Sequence, residues 1–200
     1  MQVSDAIASR RSIKWYDPEH QMPAETFSRL MEQAILSPTA FNQQNWRIVR
    51  ITDPGQRKAM REAAWDQAQA EEASELLILC FDTNAWKDRP ERYWQNAPKE
   101  VQDYLIPALH NYYDGKPDIQ NDEGMRSCGL IGMSIMLMAK ELGYDSCPMD
   151  GFDYEAVGKL INLPEHYRIA FMIAIGKGIK EPWPRPGQLP LDDILTENAF

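Results

Sequence analysis

Four residues near the N-terminus have the types and the spacing to bind a phosphate group. Arg10, Arg11, Ser12 and Lys14 stand together at the end of a short helical segment. Arginine offers a planar fork of N–H donors to phosphate oxygens, serine adds a hydroxyl, and lysine adds a compact charge. The ordinary alternative is a solvated helix end, where cations stabilise the negative end of the helix dipole. The segment alone leaves both interpretations open.

Two loops are rich in the small and polar residues that border ligand sites. Residues 37–46 read Ser-Pro-Thr-Ala-Phe-Asn-Gln-Gln-Asn-Trp, and residues 148–153 read Pro-Met-Asp-Gly-Phe-Asp. Gly151 would let backbone amides approach a ligand closely, because it carries no side chain. Taken alone, the first loop is better explained as a connector whose amides satisfy backbone groups. In the second loop, Asp153 is expected to be the N-cap of a helix over 154–161.

The proline-rich tail is the fourth segment that could bind a ligand. Lys177 lies between two glycines, and Arg185 follows among prolines, with Gln188 close behind. Residues 179–200 hold no apolar core of their own, so we expect this C-terminal arm to lie across something larger. The alternative is a surface arm with no binding role.

Composition and charge argue against several classes of function. The 200 residues carry a formal net charge of -9, which repels nucleic acid and anionic membranes. No apolar run approaches the roughly 20 residues of a membrane helix, and the N-terminus does not resemble a signal peptide. Cys80, Cys128 and Cys147 are interpreted as reduced core thiols of a cytoplasmic protein.

Common nucleotide and metal motifs are missing from the sequence. No G-x-G-x-x-G follows the first strand and no G-x-x-x-x-G-K-[ST] occurs, which argues against Rossmann and P-loop sites. His20, His110 and His166 lie far apart along the chain and lack the spacing of metal ligands, so no metal site is expected.

The elements around these loops predict one domain, residues 1–200, of alternating helices and strands. Ser4 is a plausible N-cap for a short first helix, and an apolar stripe after Pro23 predicts a second. The continuous apolar run 76–81 predicts a buried strand. Two further strands are predicted over 46–51 and 168–175, and a third helix over about 55–73. These elements indicate an α+β or α/β layered fold.

Two segments do not fit a simple layered pattern. Residues 84–124 place aromatic side chains among charges and prolines, which indicates an irregular or helical excursion that could act as a lid. Residues 126–142 form a helix, ended by Gly143, that is apolar nearly all round. Such a helix should be buried on every side, and in a domain of this size that indicates burial against a second subunit.

In combination and order, the four segments resemble the nitroreductase family. The matching patterns are Arg-[Arg/His]-Ser-x-Lys, Ser-Pro-[small]-x-x-Asn-x-Gln-x-Trp, Pro-x-[acid]-Gly-Phe-Asp and the arginine-bearing tail. The resemblance spans nearly the whole chain and is weakest over 84–124. It implies a three-layer α/β/α fold with a mixed, mostly antiparallel sheet. It further implies an intertwined homodimer whose C-terminal arms cross to the partner and whose two FMN molecules sit at the interface.

The resemblance also assigns cofactor-binding positions. By similarity, Arg10, Arg11 and Ser12 bind the FMN phosphate and ribityl chain, and Arg185 is chosen as the second phosphate cation, with Lys177 as the alternative. Lys14 points at the N1–O2 edge of the ring, where a cation favours the reduced form. The remaining positions border the ring: Pro38, Thr39, Ala40 and Asn42, from the other subunit or beside it; Gln67, with Gln69 as the neighbouring choice; and Pro148, Met149, Asp150 and Gly151.

The implied reaction is a ping-pong transfer of electrons from NADH or NADPH to a small electron-poor acceptor such as a nitroaromatic or a quinone. The flavin carries the chemistry, so no catalytic side chain is assigned. Phe41, Trp94, Tyr104 and Tyr112 are candidates for lining the acceptor cleft, although they could equally cover the core.

Some residues depart from the family pattern, and other functions compete. Asn45 stands where a proline often precedes the tryptophan, Asp150 replaces the usual glutamate, and Gln188 replaces an arginine that binds phosphate in some relatives. A flavin-binding module or sensor without nicotinamide turnover is the main alternative. An interaction protein whose loops merely echo the motif is another.

Overall fold

The computed structural model describes residues 1–200 and contains eight α-helices and four β-strands. The helices are α1 Val3–Ser9, α2 Ala24–Ala34, α3 Pro54–Ala63, α4 Gln69–Glu72, α5 Lys99–Tyr113, α6 Pro117–Glu141, α7 Tyr154–Leu160 and α8 Leu191–Ile194. The strands are β1 Trp46–Ile51, β2 Glu75–Asp82, β3 Asp145–Met149 and β4 Tyr167–Gly176. Two short 3₁₀ turns cover Ala40–Asn42 and Pro90–Trp94.

The four strands form one antiparallel sheet in the order β1-β2-β4-β3. The even-numbered side chains of β2, from Leu76 to Cys80, pack in a core with α3, α4 and α7. The odd-numbered ones, from Leu77 to Phe81, pack in a second core with α2 and α6. Because side chains alternate across a strand, one fully buried strand serves both cores. The predicted α+β, three-layer architecture is confirmed.

The strand predictions agree closely with the structure. β1 has the predicted bounds, and β2 and β4 each extend one residue further at both ends. β3 was not predicted, because its five residues include Pro148 and carry no strong alternation. It lies at the edge of the sheet, where a proline is tolerated.

Three helix predictions were wrong in their bounds. The helix expected over 55–73 is broken into α3 and α4, because Trp65 and Asp66 adopt left-handed backbone at φ 54° and 60°. The first helix is capped at Gln2 and not at Ser4. Helix α6 ends near the predicted Gly143 but begins at Pro117, nine residues earlier than expected.

The excursion over 84–124 is more regular than its sequence indicates. It contains the Pro90–Trp94 turn and α5, and its last residues belong to α6. Trp86, Leu109 and Tyr113 form a small separate cluster, against which Phe41 packs. The excursion is therefore tied to the loop that precedes β1.

Helix α6 is not buried on every side within one chain. Its inner face lies in the second core, but Leu130 is 47% exposed and Met133 is 37% exposed. Val3 and Ile7 of α1 are also exposed. A single chain therefore leaves an uncovered apolar face, and the predicted burial against a second subunit stays a prediction.

Candidate functional site

A cationic cleft of about 520 Å³ lies between the N-terminal segment 10–15 and the tail segment 182–188. Four cations line it, and no acidic side chain does: Arg10, Arg11, Lys14 and Arg185. In a chain of net charge -9, such a concentration of positive charge suits an anionic ligand. The structure thus brings the predicted N-terminal clamp and the predicted tail arginine into one site.

The four cations of the cleft are not equivalent. Arg185 donates to the backbone oxygens of Ala8 at 3.1 Å and Arg10 at 3.2 Å, and Arg11 donates to the backbone oxygen of Trp183. These bonds fasten the tail to the N-terminal segment. By contrast, the Nε and Nη1 atoms of Arg10 are buried and have no partner. Buried N–H donors are nearly always paired, so Arg10 fits a ligand that supplies oxygen acceptors, such as a phosphate.

Alternating burial orients the clamp residues. Helix α1 ends at Ser9, and the chain then runs extended, with Ile13 and Tyr16 buried in the core and Ser12 and Lys14 exposed. The segment is held against β3, because the Ile13 N–H donates to the Ser146 carbonyl at 3.2 Å. Ser12 forms an isolated parallel β-bridge with Ser146. Lys14 is therefore fixed on the open side of the cleft.

The loop after β3 does not line the cleft and is held by two glutamine side chains. Gln67 Nε2 donates to the Gly151 carbonyl at 2.7 Å, and Gln69 Nε2 donates to Gln67 Oε1 at 2.9 Å. Gln69 is only 3% exposed, so Gln67 faces the loop and Gln69 supports it from behind. A Cβ on Gly151 would lie 3.1 Å from the Trp65 ring, so the glycine permits this close approach.

The side chains of the second loop point in different directions. Met149 is buried in the core, so only its backbone can face a ligand, whereas Pro148 and Asp150 are exposed. The Tyr154 hydroxyl donates to the Asp150 carboxylate. Burial, and then the hydrogen bond and charge of Asp150, raise the pKa of Tyr154 to about 12. Sequence reasoning missed Tyr154, although its position four residues after Asp150 at a helix start was a usable signal.

The loop over 38–44 does not line the cleft of its own chain. Phe41, Asn42 and Gln44 adopt left-handed backbone at φ 54°, 50° and 45°, a conformation that is costly for residues other than glycine. Asn42 Nδ2 donates to the Tyr93 carbonyl at 2.8 Å. Gln44 N–H donates to Thr39 Oγ1 at 3.0 Å. The strained loop is thus held against the excursion, and Pro38, Thr39, Ala40 and Asn42 lie apart from the clamp.

Three of the four aromatic candidates for the acceptor cleft lie near this loop. The rings of Phe41 and Tyr112 have centroids 5.4 Å apart, and Trp94 lines a pocket with Asn42. Tyr104 is 75% exposed on α5 and stands alone. The structure therefore groups Phe41, Trp94 and Tyr112 and leaves Tyr104 outside the group.

The structure contains neither a cluster of possible metal ligands nor a helix that could span a membrane. No group of three or more His, Cys, Asp or Glu side chains could hold a metal ion. Every helix is too short or too polar to cross a bilayer. The three cysteines are free and buried, as the sequence predicted.

Comparisons with known proteins agree with this architecture. The profile of the nitroreductase family matches residues 7–177. Protein DrgA of Synechocystis is 47% identical over 98% of this chain and 95% of its own length. The NADH dehydrogenase of Thermus thermophilus is 32% identical over 98% of this chain and 95% of its own. A protein of Exiguobacterium sibiricum, solved in complex with FMN, superimposes with a TM-score of 0.91 at 26% identity, over 98% of this chain and 97% of that one.

Proposed function

The chain belongs to the nitroreductase family, and on that basis we propose that it is an FMN-dependent oxidoreductase. NADH or NADPH is the proposed donor, and a small electron-poor molecule such as a nitroaromatic or a quinone is the proposed acceptor. The observation that carries the proposal is that two guanidinium nitrogens of Arg10, Nε and Nη1, are buried and unpaired in a cleft lined by three further cations. These two groups offer charge-assisted hydrogen bonds to a phosphate.

The other binding residues follow from their positions. Arg11 and Ser12 extend the clamp beside Arg10, while Arg185 holds the tail over it. Lys14 is the cation placed to stabilise negative charge on the flavin ring. The loop 148–151, in which the Gly151 carbonyl is held by Gln67, would border the flavin ring through its backbone. Gln188 lines the same cleft without a charge. Arg185 is the one cation of the tail that lines the cleft, whereas Lys177 donates to the Gly143 carbonyl, so Arg185 is the tail residue proposed to add positive charge near the phosphate.

Bound FMN would supply the chemistry by taking a hydride from the nicotinamide and passing electrons to the acceptor. The protein binds, orients and shields these molecules. If donor and acceptor bind in turn at one site beside FMN, the kinetics should be ping-pong. No side chain of the site is assigned a catalytic role.

The proposed working form is a homodimer. The uncovered apolar face of α1 and α6, with Val3, Ile7, Leu130 and Met133 exposed, is the surface that a second copy would cover. The loop over 38–42 does not reach its own cleft, and it would border the cleft of the partner subunit. The end of the arm, residues 189–200, is exposed throughout and would cross to the partner.

The absorbance spectrum of the purified protein, followed by anaerobic addition of NADH or NADPH, tests this proposal. We expect the visible bands of bound FMN, bleaching by the nicotinamide, and recovery on addition of a quinone or nitroarene. A protein that binds FMN but is bleached by neither nicotinamide is instead a flavin-binding module. A protein that remains colourless with excess FMN contradicts the flavin assignment.

A further inference from the structure

A second polar pocket, of about 340 Å³, lies between the strained loop over 38–44 and the Pro90–Trp94 turn. Asn42 and Gln44 form one wall, and residues 92–97 form the other. We call it the Arg92 pocket. It shares Asn42 with the loop that, in the proposed function, would border the cleft of the partner subunit, so in the proposed homodimer it would stand beside the partner's site for donor and acceptor.

The Arg92 pocket is lined by polar side chains and carries one charge. Four amide side chains line it, those of Asn42, Gln44, Gln95 and Asn96, and Arg92 is its single charged lining residue. Two further N–H groups in its walls, Arg92 Nε and Trp94 Nε1, are buried and unpaired. Two unpaired N–H groups beside one cation, with no lining carboxylate, match an anionic ligand with oxygen acceptors.

Arg92 is held in place before any ligand arrives. Its guanidinium lies over the Tyr93 ring, 4.9 Å from the centroid, and Nη2 donates to the Tyr93 hydroxyl at 2.8 Å. Asp88, outside the lining, lies 3.4 Å from Nη2. A stacked and bonded arginine loses little conformational freedom on binding an anion. The neighbouring carboxylate offsets part of its charge, so a moderate effect on affinity is expected.

Resting on the proposed function, we propose that the Arg92 pocket binds an anionic group of one of the two small molecules that exchange electrons at the adjacent flavin site. The group is a phosphate ester or a carboxylate. Its source is either the donor, through the 2′-phosphate that distinguishes NADPH from NADH, or an acceptor that carries an acid group. Arg92 is then a residue that determines specificity through charge.

Direct binding separates this inference from the proposed enzyme activity. Two matched ligand pairs, 2′-AMP against adenosine and benzoate against benzamide, would be titrated into the purified protein and followed by NMR. In wild type the charged member of one pair should bind more tightly than its neutral partner. Arg92→Gln should raise the Kd of that charged ligand by about tenfold and leave the Kd of its neutral partner unchanged. Arg92→Lys should restore most of the difference.

Arg89→Gln is the matched control, because Arg89 is exposed, lies three residues away and does not line the pocket. It removes the same charge and should behave as wild type. If Arg92→Gln binds all four ligands as wild type does, the inference is overturned. An equal loss in Arg89→Gln overturns it as well, because the effect would then be one of net charge.

Steady-state kinetics identify the source of the anion. If the donor supplies it, Arg92→Gln lowers the kcat/KM preference for NADPH over NADH by about tenfold. If the acceptor supplies it, the preference for 4-nitrobenzoate over 4-nitrobenzamide falls instead. Unchanged preferences in both pairs, with FMN bound and the neutral substrates turned over normally, overturn the proposed role. A wild type without turnover refutes the proposed function instead, and the binding titrations still report on the pocket.

Discussion

Replacing Arg10 with glutamine should weaken FMN binding strongly without destabilising the FMN-free protein. In most sites the loss of a buried arginine lowers both binding and stability, because the side chain also bonds to the protein. Here the Nε and Nη1 atoms of Arg10 are buried and have no partner in the protein. Their hydrogen bonds are therefore available to a ligand and contribute nothing to the folding of the empty chain.

The size of the binding effect follows from these two N–H groups. Each charge-assisted hydrogen bond to a phosphate contributes about 1.5–3 kcal/mol. Glutamine keeps one neutral donor of shorter reach, so the net loss is about 2–3 kcal/mol. At about 1.4 kcal/mol per factor of ten, the Kd of FMN should rise roughly 30- to 150-fold.

The stability of the empty protein should change little, or in the opposite direction. An unpaired buried donor costs free energy, and the cleft holds four cations that repel one another. Arg10→Gln relieves both, which predicts an unchanged free energy of unfolding or a gain of up to about 1 kcal/mol. For a domain of this size that gain corresponds to a rise in Tm of about 2–4 °C.

Two measurements and one control decide the prediction. The Kd is measured from the quenching of flavin fluorescence, and the Tm from circular dichroism of the FMN-free protein. Arg29→Gln removes an exposed arginine of α2 and should change neither quantity. FMN binding by Arg10→Gln with wild-type affinity would refute the assignment of the clamp. A clear fall in the Tm of the empty variant would show that Arg10 is a structural residue.

Three further predictions concern packing, assembly and pH. Gly124→Ala should destabilise the protein by about 1–3 kcal/mol in urea unfolding, because the added Cβ would overlap the Phe81 ring. The matched control is Gly158→Ala, whose added Cβ meets only ordinary contacts; it should stabilise the protein by up to about 1 kcal/mol. Met133→Lys should turn the proposed dimer into monomers in sedimentation velocity, and a variant that sediments as wild type would place the interface elsewhere. The pKa of the Tyr154 hydroxyl is raised from 10.0 to about 12, so the contribution of this group to stability is complete below pH 10 and is lost as the pH rises towards 12. In Tyr154→Phe the free energy of unfolding should therefore depend less steeply on pH between 10 and 12. An unchanged slope of that free energy against pH would contradict the shift.

Local sequence determined most of the elements. Apolar alternation and continuous apolar runs placed β1, β2 and β4, because these patterns arise from which face of a strand is buried. Asp153 was predicted as an N-cap, and it accepts hydrogen bonds from the N–H groups of Glu155 and Ala156. The four loop motifs identified the family, since their residue types and order are properties of the sequence alone.

Breaks in the elements and the pairing of distant segments needed the tertiary structure. The helix expected over 55–73 has helical composition throughout, yet it breaks at Trp65 and Asp66, where the chain turns to bring Gln67 to Gly151. β3 forms because β4 offers its edge, and not because its own five residues favour a strand.

The candidate site shows the same division. The types and spacing of Arg10 and Lys14 predicted from the sequence alone that both belong to one phosphate-binding segment. Only the folded chain brings Arg185 across 175 residues to the Arg10 carbonyl and leaves the Arg10 guanidinium without a partner. Such pairing is decided by the packing of both segments against the sheet, since residues far apart in the sequence carry no local signal of each other's position.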